Sequence, residues 1–341
     1  TITDPNVPLI NAKLAAVGYP GSPVTTGIYQ NPVDMTNLVA KLDHQVRGND
    51  LFNVKYSLYD VASKNSRGAG GLAAPSASAD LDNIDQAISV GNTLTLSPRT
   101  VNETRAQYTY SNLEAPPADL IGPAVNIAGV ATFGTLSGSP QARLNKMFQI
   151  VDSLSHQRGS HALRAGVDFI YNHDTITYPR AYRGSYTFSS MANFLAGMYN
   201  NAGFTQTFAQ SVVEQSNPNL GFYAQDEWKA ASSLTLNAGV RYDLQFLETI
   251  ETDRNNVSPR VGFAWVPEES RATVIRGSAG LFFDRVPLRA LANAILSAHN
   301  TTDLTQLAQV SVSLSPTQAG APVFPNILPA VLARARLVEF A

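Results

Sequence analysis

The clearest pattern in the chain is a strict alternation of apolar and polar positions between residues 234 and 243. One set of alternate positions holds Leu234, Leu236, Ala238, Val240 and Tyr242. A β-strand places alternate residues on opposite faces, whereas a helix would distribute these side chains around its axis. Segment 220–229 shows a similar alternation and is joined by a short connection, so the sequence predicts a hairpin. Strands of this length suit a bilayer crossing better than an ordinary soluble sheet.

The same alternation recurs along the chain and predicts about ten strands arranged in hairpins. These strands lie near 38–45, 52–58, 81–96, 101–110, 145–156, 161–173, 220–229, 234–243, 257–265 and 275–284. The connections within hairpins are short, at 47–50, 97–100, 157–160, 229–233 and 267–271. The connections between hairpins are long, and such an asymmetry is typical of outer-membrane barrels. We therefore predict an all-β fold, an antiparallel up-and-down β-barrel of roughly 10–12 long strands.

This interpretation divides the chain into three parts. Residues 1–37 are predicted to be irregular, residues 38–285 to form the barrel segment, and residues 286–341 to form a helix and a Pro-rich irregular tail. Within the long connections, a short helix is expected near Met191–Ala196 and short strands near Ser185–Phe188 and 205–213. A soluble β-sandwich would also alternate its faces, but it gives no reason for all long loops to share one end.

Composition supports a sheet with one apolar and one wet face. Only 15% of the residues are charged, below the roughly 25% of average soluble domains. The 24 basic and 26 acidic residues nearly balance, so no nucleic-acid partner is expected. The chain has no cysteine, which excludes disulfides and thiolate metal ligands, and no apolar run is long enough for a membrane helix.

Several stretches resemble TonB-dependent outer-membrane receptors. They are GFYAQDEWK (221–229), LTLNAGVRYD (234–243), NNVSPRVGFAW (255–265), TVIRGSAGLFFDR (273–285), HALRAGVDF (161–169) and RGSYTFSSMANFLAG (183–197). The resemblance is greatest to the carboxypeptidase-regulatory-like receptors of acidobacteria, and it extends from about residue 38 to 325. It implies a barrel in the bacterial outer membrane that takes up or binds a ligand.

The chain also departs from this family. Such receptors have an N-terminal plug domain and a TonB-contacting segment, and neither is recognisable here. The resemblance therefore suggests an internal piece of a larger barrel, for which contact with TonB is not expected. A piece of a barrel would have two open strand edges, so self-association through these edges is a further expectation.

The polar positions of the predicted strands supply the candidate ligand-binding residues. Sorting by face predicts that one row lines the barrel lumen: Glu103, Arg105, Arg164, Asp168, Asn237, Arg241, Asp243, Arg260 and Arg276. One interpretation is a wall that binds a polar small molecule or oligomer. The other is a ladder of cross-strand ion pairs that only satisfies a polar interior.

Two further groups of residues have alternative interpretations. The aromatic residues of the apolar face could form an interfacial girdle or ordinary sheet packing; they are Tyr108, Tyr110, Phe169, Tyr171, Phe222, Trp228, Tyr242 and Trp265. His156, His161 and Asp152 could approach one another near one turn, but their spacing matches no metal motif. No metal, cofactor or catalytic residue is therefore predicted.

The leading hypothesis is thus an outer-membrane receptor or transporter segment in contact with the lipid bilayer, with ligand contacts in the lumen and long loops. The alternative from another class is a hydrolase acting on an ester or phosphoester, possibly with a metal. No GxSxG, HExxH, Walker or GxGxxG motif supports that alternative. The sequence therefore favours a chain that is not an enzyme.

Overall fold

The computed structural model describes residues 2–3, 5–209, 212–267, 273–297 and 309–329. Its helices are α1 (Asn6–Val17), α2 (Met191–Ala196) and α3 (Leu288–Ser297). Its strands are β1 (Val33–Arg47), β2 (Asp50–Arg67), β3 (Ala79–Ser97), β4 (Thr100–Ala115), β5 (Ala124–Ile127), β6 (Ala131–Phe133), β7 (Gln141–Arg158), β8 (His161–Thr177), β9 (Ser185–Phe188), β10 (Phe204–Ala209), β11 (Val212–Ala231), β12 (Leu234–Gln245), β13 (Val257–Trp265), β14 (Ile275–Gly280) and β15 (Gln309–Leu314). None of the helices in these ranges has both the length and the apolar character needed to cross a bilayer.

Ten of the strands form one large antiparallel sheet. Its order is β1-β2-β3-β4-β7-β8-β11-β12-β13-β14, so each strand pairs with the sheet strand before and after it in the chain. This up-and-down arrangement confirms the all-β antiparallel prediction. Among the described residues, β1 and β14 each pair with one neighbour, so the sheet is open and does not close on itself.

Most strands of this sheet are longer than the alternation predicted, whereas β14 ends at Gly280 rather than near residue 284. β3 and β11 contain 19 and 20 residues. β2 continues to Arg67, into the long connection predicted between the strands near 52–58 and 81–96. That prediction was wrong because a small-residue sequence can still pair through its backbone. The predicted turn at 267–271 lies largely outside the described residues.

The register of the large sheet separates two faces. The apolar face carries rows of paired residues such as Tyr56, Ile88, Tyr108, Phe148 and Tyr171. The polar face carries rows such as Asn53, Gly91, Arg105, Val151, Asp168, Gly221 and Asp243. All eight aromatic residues predicted to share a face lie on the apolar face, where Tyr108, Phe222 and Trp228 are exposed.

The long connections and the C-terminal part together form a second sheet, in the order β15-β10-β9-β5-β6. Together with α1 and α2 it makes a compact unit, which we call the cap. β9 and α2 have the predicted bounds. Two expectations were wrong: α1 occupies residues 6–17 of the supposedly irregular N-terminal part, and β15 lies within the supposedly irregular tail. α1 has no N-terminal side-chain cap that would reveal it, whereas the sequence of β15, QVSVSL, does alternate and the prediction overlooked it.

The core of the cap is a cluster of aromatic rings. Phe188, Phe194, Tyr186 and Phe204 are fully buried, and Phe324 packs against the first three of them. The Phe188 and Phe194 rings meet edge to face at 5.3 Å between centroids, a favourable geometry for aromatic pairs. Ile10 and Leu14 of α1 join the same cluster, so this helix is part of the cap.

Two phenols make the cap sensitive to alkaline pH, that of the fully buried Tyr186 and that of the partly buried Tyr19. Burial, with a smaller effect of the Asp119 carboxylate, raises the pKa of Tyr19. Burial, with a smaller effect of Tyr199, likewise raises the pKa of Tyr186. Their hydroxyls donate to the carbonyl oxygens of Pro123 and Asn326.

The cap is therefore expected to lose stability above about pH 10, the ordinary pKa of a phenol. An unfolded chain releases these protons near pH 10 but the folded cap retains them, so the stabilisation is complete below that pH and falls as pH rises. Absorbance at 295 nm and near-UV circular dichroism would show late titration coinciding with loss of cap structure. Tyr19→Phe/Tyr186→Phe should move this transition to higher pH, whereas the exposed-ring control Tyr108→Phe should not.

Candidate functional site

The polar face of the large sheet holds all the candidate ligand-binding residues. Register places the following on this one face: Glu103, Arg105, Arg164, Asp168, Asn237, Arg241, Asp243, Arg260 and Arg276. Their shared face was predicted from the alternation of the strands, and the structure shows it. Their role in binding stays a prediction.

Arg241 is the centre of a charged network on this face. Its Nε donates to Asp243 Oδ1 and Oδ2 at 2.9 and 2.8 Å. Its Nη2 lies 3.5 Å from Asp168 Oδ2, and Gln149 Nε2 donates to Asp168 Oδ1 at 2.9 Å. Gly221 of β11 lies between Asp168 of β8 and Asp243 of β12. A side chain at this position would collide with the Arg241 guanidinium, and glycine has none. This part of the face matches the ion-pair interpretation, because each charge is already compensated.

A concave pocket of about 860 Å³ lies beside this network. Strands β11 to β14 form its wall, and Arg241, Arg260, Arg276, Asn237 and Tyr223 contribute to its lining. Among the described residues, Arg260 and Arg276 form no ion pair. The Arg260 guanidinium lies 4.6 Å from the centroid of the Phe282 ring. Among the arginines that line this pocket, these two are therefore free to meet a negatively charged group.

Arg105 and Arg164 lie elsewhere on the polar face. Arg105 is 3.8 Å from Glu103 and lines a separate pocket of about 330 Å³ between β2 and β7. Arg164 donates through Nε to Ser155 Oγ at 3.1 Å. The structure therefore distributes the predicted row over the wall rather than gathering it into one site.

Helix α3 folds back onto the polar face near the ends of β8 and β11 that lead into the long connections. Ala292 and Ile295 of the helix pack against Ile176 and Val213, which are paired on this face. Gln215 Nε2 donates to the carbonyl oxygen of Leu288 at 3.2 Å. The predicted helix is thus present, and it packs at the long-connection end of the sheet.

Helix α3 and the sheet border a third pocket of about 620 Å³, which we call the mouth pocket. Its charged lining residues are Arg143, Arg180, Arg289 and Asp174. Arg180 Nη2 donates to Asn293 Oδ1 at 3.3 Å, which ties the loop after β8 to the helix. Three guanidinium groups against one carboxylate make the pocket suitable for an anionic group.

These arginines were missed by sequence reasoning. All three lie outside the predicted strands, since β7 begins at Gln141 rather than near residue 145. The only available signal was the amphipathic spacing of α3, which indicates a packed helix but not the surface it covers.

The suggested histidine cluster does not assemble as a metal site. His156 Nδ1 lies 2.9 Å from Thr100 Oγ1, and His161 Nδ1 lies 2.7 Å from Asp226 Oδ2. Asp152 accepts hydrogen bonds from Asn102 and Thr104. Within the described ranges, no three His, Asp or Glu side chains converge around a possible metal position.

Comparisons with known proteins agree with the geometry of the large sheet. The sequence matches the family described as Outer membrane beta barrel domain over residues 6–249 and 246–337. The TonB-dependent transporter Oar of Myxococcus xanthus is 28% identical over 171 residues, covering 44% of this chain and 16% of that protein.

A solved structure shows the same kind of fold. The outer membrane transporter YddB from Escherichia coli superposes with a TM-score of 0.54 at 15% identity, covering 76% of this chain and 32% of the other. At such low identity the similarity concerns the fold alone. The chain spans about a third or less of the length of these two proteins.

Proposed function

Because the chain belongs to the outer membrane β-barrel domain family, we propose that it forms part of a ligand-uptake barrel similar to TonB-dependent transporters. The bacterial outer membrane is its location, and its apolar face contacts lipid. The polar face then lines the interior, because backbone and polar side chains cannot face hydrocarbon without partners. The proposal is that residues of this interior bind a small ligand.

The mouth pocket is the observation that carries this proposal. It lies at the end of the sheet where the long connections emerge, which in outer-membrane barrels is the extracellular side. A ligand arriving from outside would meet Arg143, Arg180 and Arg289 first. It would then meet Arg260 and Arg276 farther along the interior wall. The order of these groups favours a small ligand that carries negative charge.

A trisulfonated pyrene dye provides a test of this binding step. We expect the protein, reconstituted in lipid vesicles, to raise the fluorescence anisotropy of the dye. Arg143→Gln/Arg289→Gln should weaken binding about tenfold or more, since each hydrogen bond to a charged group contributes about 1.5–3 kcal/mol. Lys41→Gln/Lys55→Gln, which removes two charges from β1 and β2 away from the pocket, is the matched control.

Equal weakening by both pairs of substitutions would show that only overall charge attracts the dye, and the proposal would fail. Neither the described residues nor the comparisons support the hydrolase alternative. Membership of the carboxypeptidase-regulatory-like subgroup, the expected lack of contact with TonB and self-association through strand edges stay predictions.

A further inference from the structure

Two neighbouring short turns present a pair of exposed arginines at the end of the sheet opposite the cap. Arg99 lies in the β3–β4 turn and Arg158 at the β7–β8 turn. The turns touch, because the Gln157 backbone N–H donates to the Arg99 carbonyl oxygen at 2.8 Å. Both arginine side chains are exposed. Neither forms an ion pair within the described part of the chain.

The carboxylates near these turns on the same face already have partners. Asp226 pairs with His161 at 2.7 Å, and Asp152 accepts from Thr104 Oγ1 at 2.5 Å. The His161 ring also stacks on the Trp228 indole, with 5.4 Å between centroids and 8° between the planes. The two arginine charges are therefore uncompensated, and a flat aromatic pair lies beside them.

The adjoining surface is apolar and exposed. Leu96, Leu154, Leu163 and Trp228 are 57%, 43%, 41% and 41% exposed on the face that contacts lipid. Tryptophan at such a boundary is typical of the membrane–water interface. The surface thus changes from hydrocarbon-compatible to cationic within a few residues, as the interface of a phospholipid leaflet does.

We infer that Arg99 and Arg158 bind the phosphate of an anionic phospholipid in the leaflet on the short-turn side of the membrane. Guanidinium groups form bidentate hydrogen bonds with phosphate oxygens. The acyl chains of this lipid lie along Leu154 and Leu163, and Trp228 lies at the level of the headgroup. This site is separate from the interior pockets and does not depend on the proposed ligand uptake.

Quenching of Trp228 by brominated lipids tests this inference directly. The chain contains two tryptophans, so Trp265→Phe leaves Trp228 as the sole reporter. This variant is reconstituted in phosphatidylcholine vesicles with a minor fraction of either phosphatidylglycerol or phosphatidylcholine carrying brominated acyl chains. We expect stronger quenching by brominated phosphatidylglycerol. Arg99→Gln/Arg158→Gln should lower the local enrichment of phosphatidylglycerol near Trp228 by about fivefold for each arginine removed.

Three controls identify the site and the source of the phosphate. Arg105→Gln/Arg164→Gln removes two exposed charges from the polar face of β4 and β8 and should leave the excess quenching intact. Arg99→Lys/Arg158→Lys keeps the two positive charges and should retain most of the excess quenching by brominated phosphatidylglycerol. Millimolar inorganic phosphate in solution should not displace the lipid.

The inference fails if the two brominated lipids quench equally, or if the polar-face control loses the excess as fully as Arg99→Gln/Arg158→Gln. Displacement by inorganic phosphate would likewise overturn it in favour of a site for free phosphate. Heat-modifiable migration on a gel verifies that every variant is folded. Since the readout concerns lipid alone, its failure leaves the dye-binding result unaffected.

Discussion

Replacing Ala224 by arginine is expected to destabilise the membrane-inserted protein by about 2–4 kcal/mol, the cost of a cationic side chain at mid-depth on a lipid-facing strand. Ala224 lies near the middle of the stretch of β11 that pairs with β12, between Ala165 and Val240 on the apolar face. Urea unfolding of the protein folded in lipid vesicles, followed by tryptophan fluorescence, would measure this loss.

The neighbouring position provides the matched control. Gln225 is exposed like Ala224 but lies on the polar face, paired with Arg164 and Gly239. Gln225→Arg should therefore change the free energy of unfolding by less than about 1 kcal/mol. An equal cost at both positions would contradict the assignment of the two faces.

Replacing Phe188 by alanine is the second large effect, with an expected loss of about 3–5 kcal/mol in the stability of the cap. The Phe188 ring is fully buried and contacts Phe194 and Phe324 at 5.3 and 5.5 Å between centroids. The cavity that remains cannot be filled without moving several rings. Hydrogen exchange with mass spectrometry should show the protection of cap peptides falling by about a hundredfold or more.

Thr187 on the same strand is the control for this substitution. Its side chain is half-buried outside the aromatic cluster, so Thr187→Ala should change protection only slightly. The peptides of β3 and β4 should exchange alike in both variants, because these strands belong to the large sheet. If Phe188→Ala left the cap protected, the cluster would not be what stabilises it.

The large sheet could be predicted because its information is local. Within each strand, alternate residues lie on opposite faces, as in the segment from Leu234 to Tyr242. Antiparallel pairing then joins strands that follow one another in the chain. The cap could not be predicted in this way. Its strands are short, β5 pairs in parallel with β9, and β10 pairs with β15 about a hundred residues later.

The candidate site likewise has one part that could be predicted from local sequence and one part that could not. The position of Arg241 and Asp243 on one face follows from their spacing of two residues, and so does their hydrogen bonding. The mouth pocket requires Arg289 of α3 to lie across from Arg143 of β7. No pattern within either segment indicates that they meet, because their approach depends on the packing of α3 against β11.

Thiol accessibility along β11 and β12 tests the central claim most directly. The chain has no cysteine, so single substitutions report without background. Gln225→Cys and Asn237→Cys lie on the polar face, and the equally exposed neighbours Ala224→Cys and Ala238→Cys lie on the apolar face. In lipid vesicles, we predict that a charged methanethiosulfonate modifies the polar-face thiols about a hundredfold faster, because thiolates form in water and not in hydrocarbon. Equal rates at all four positions, or faster reaction at Ala224→Cys and Ala238→Cys, would contradict a sheet with one face in lipid and the other lining a wet interior.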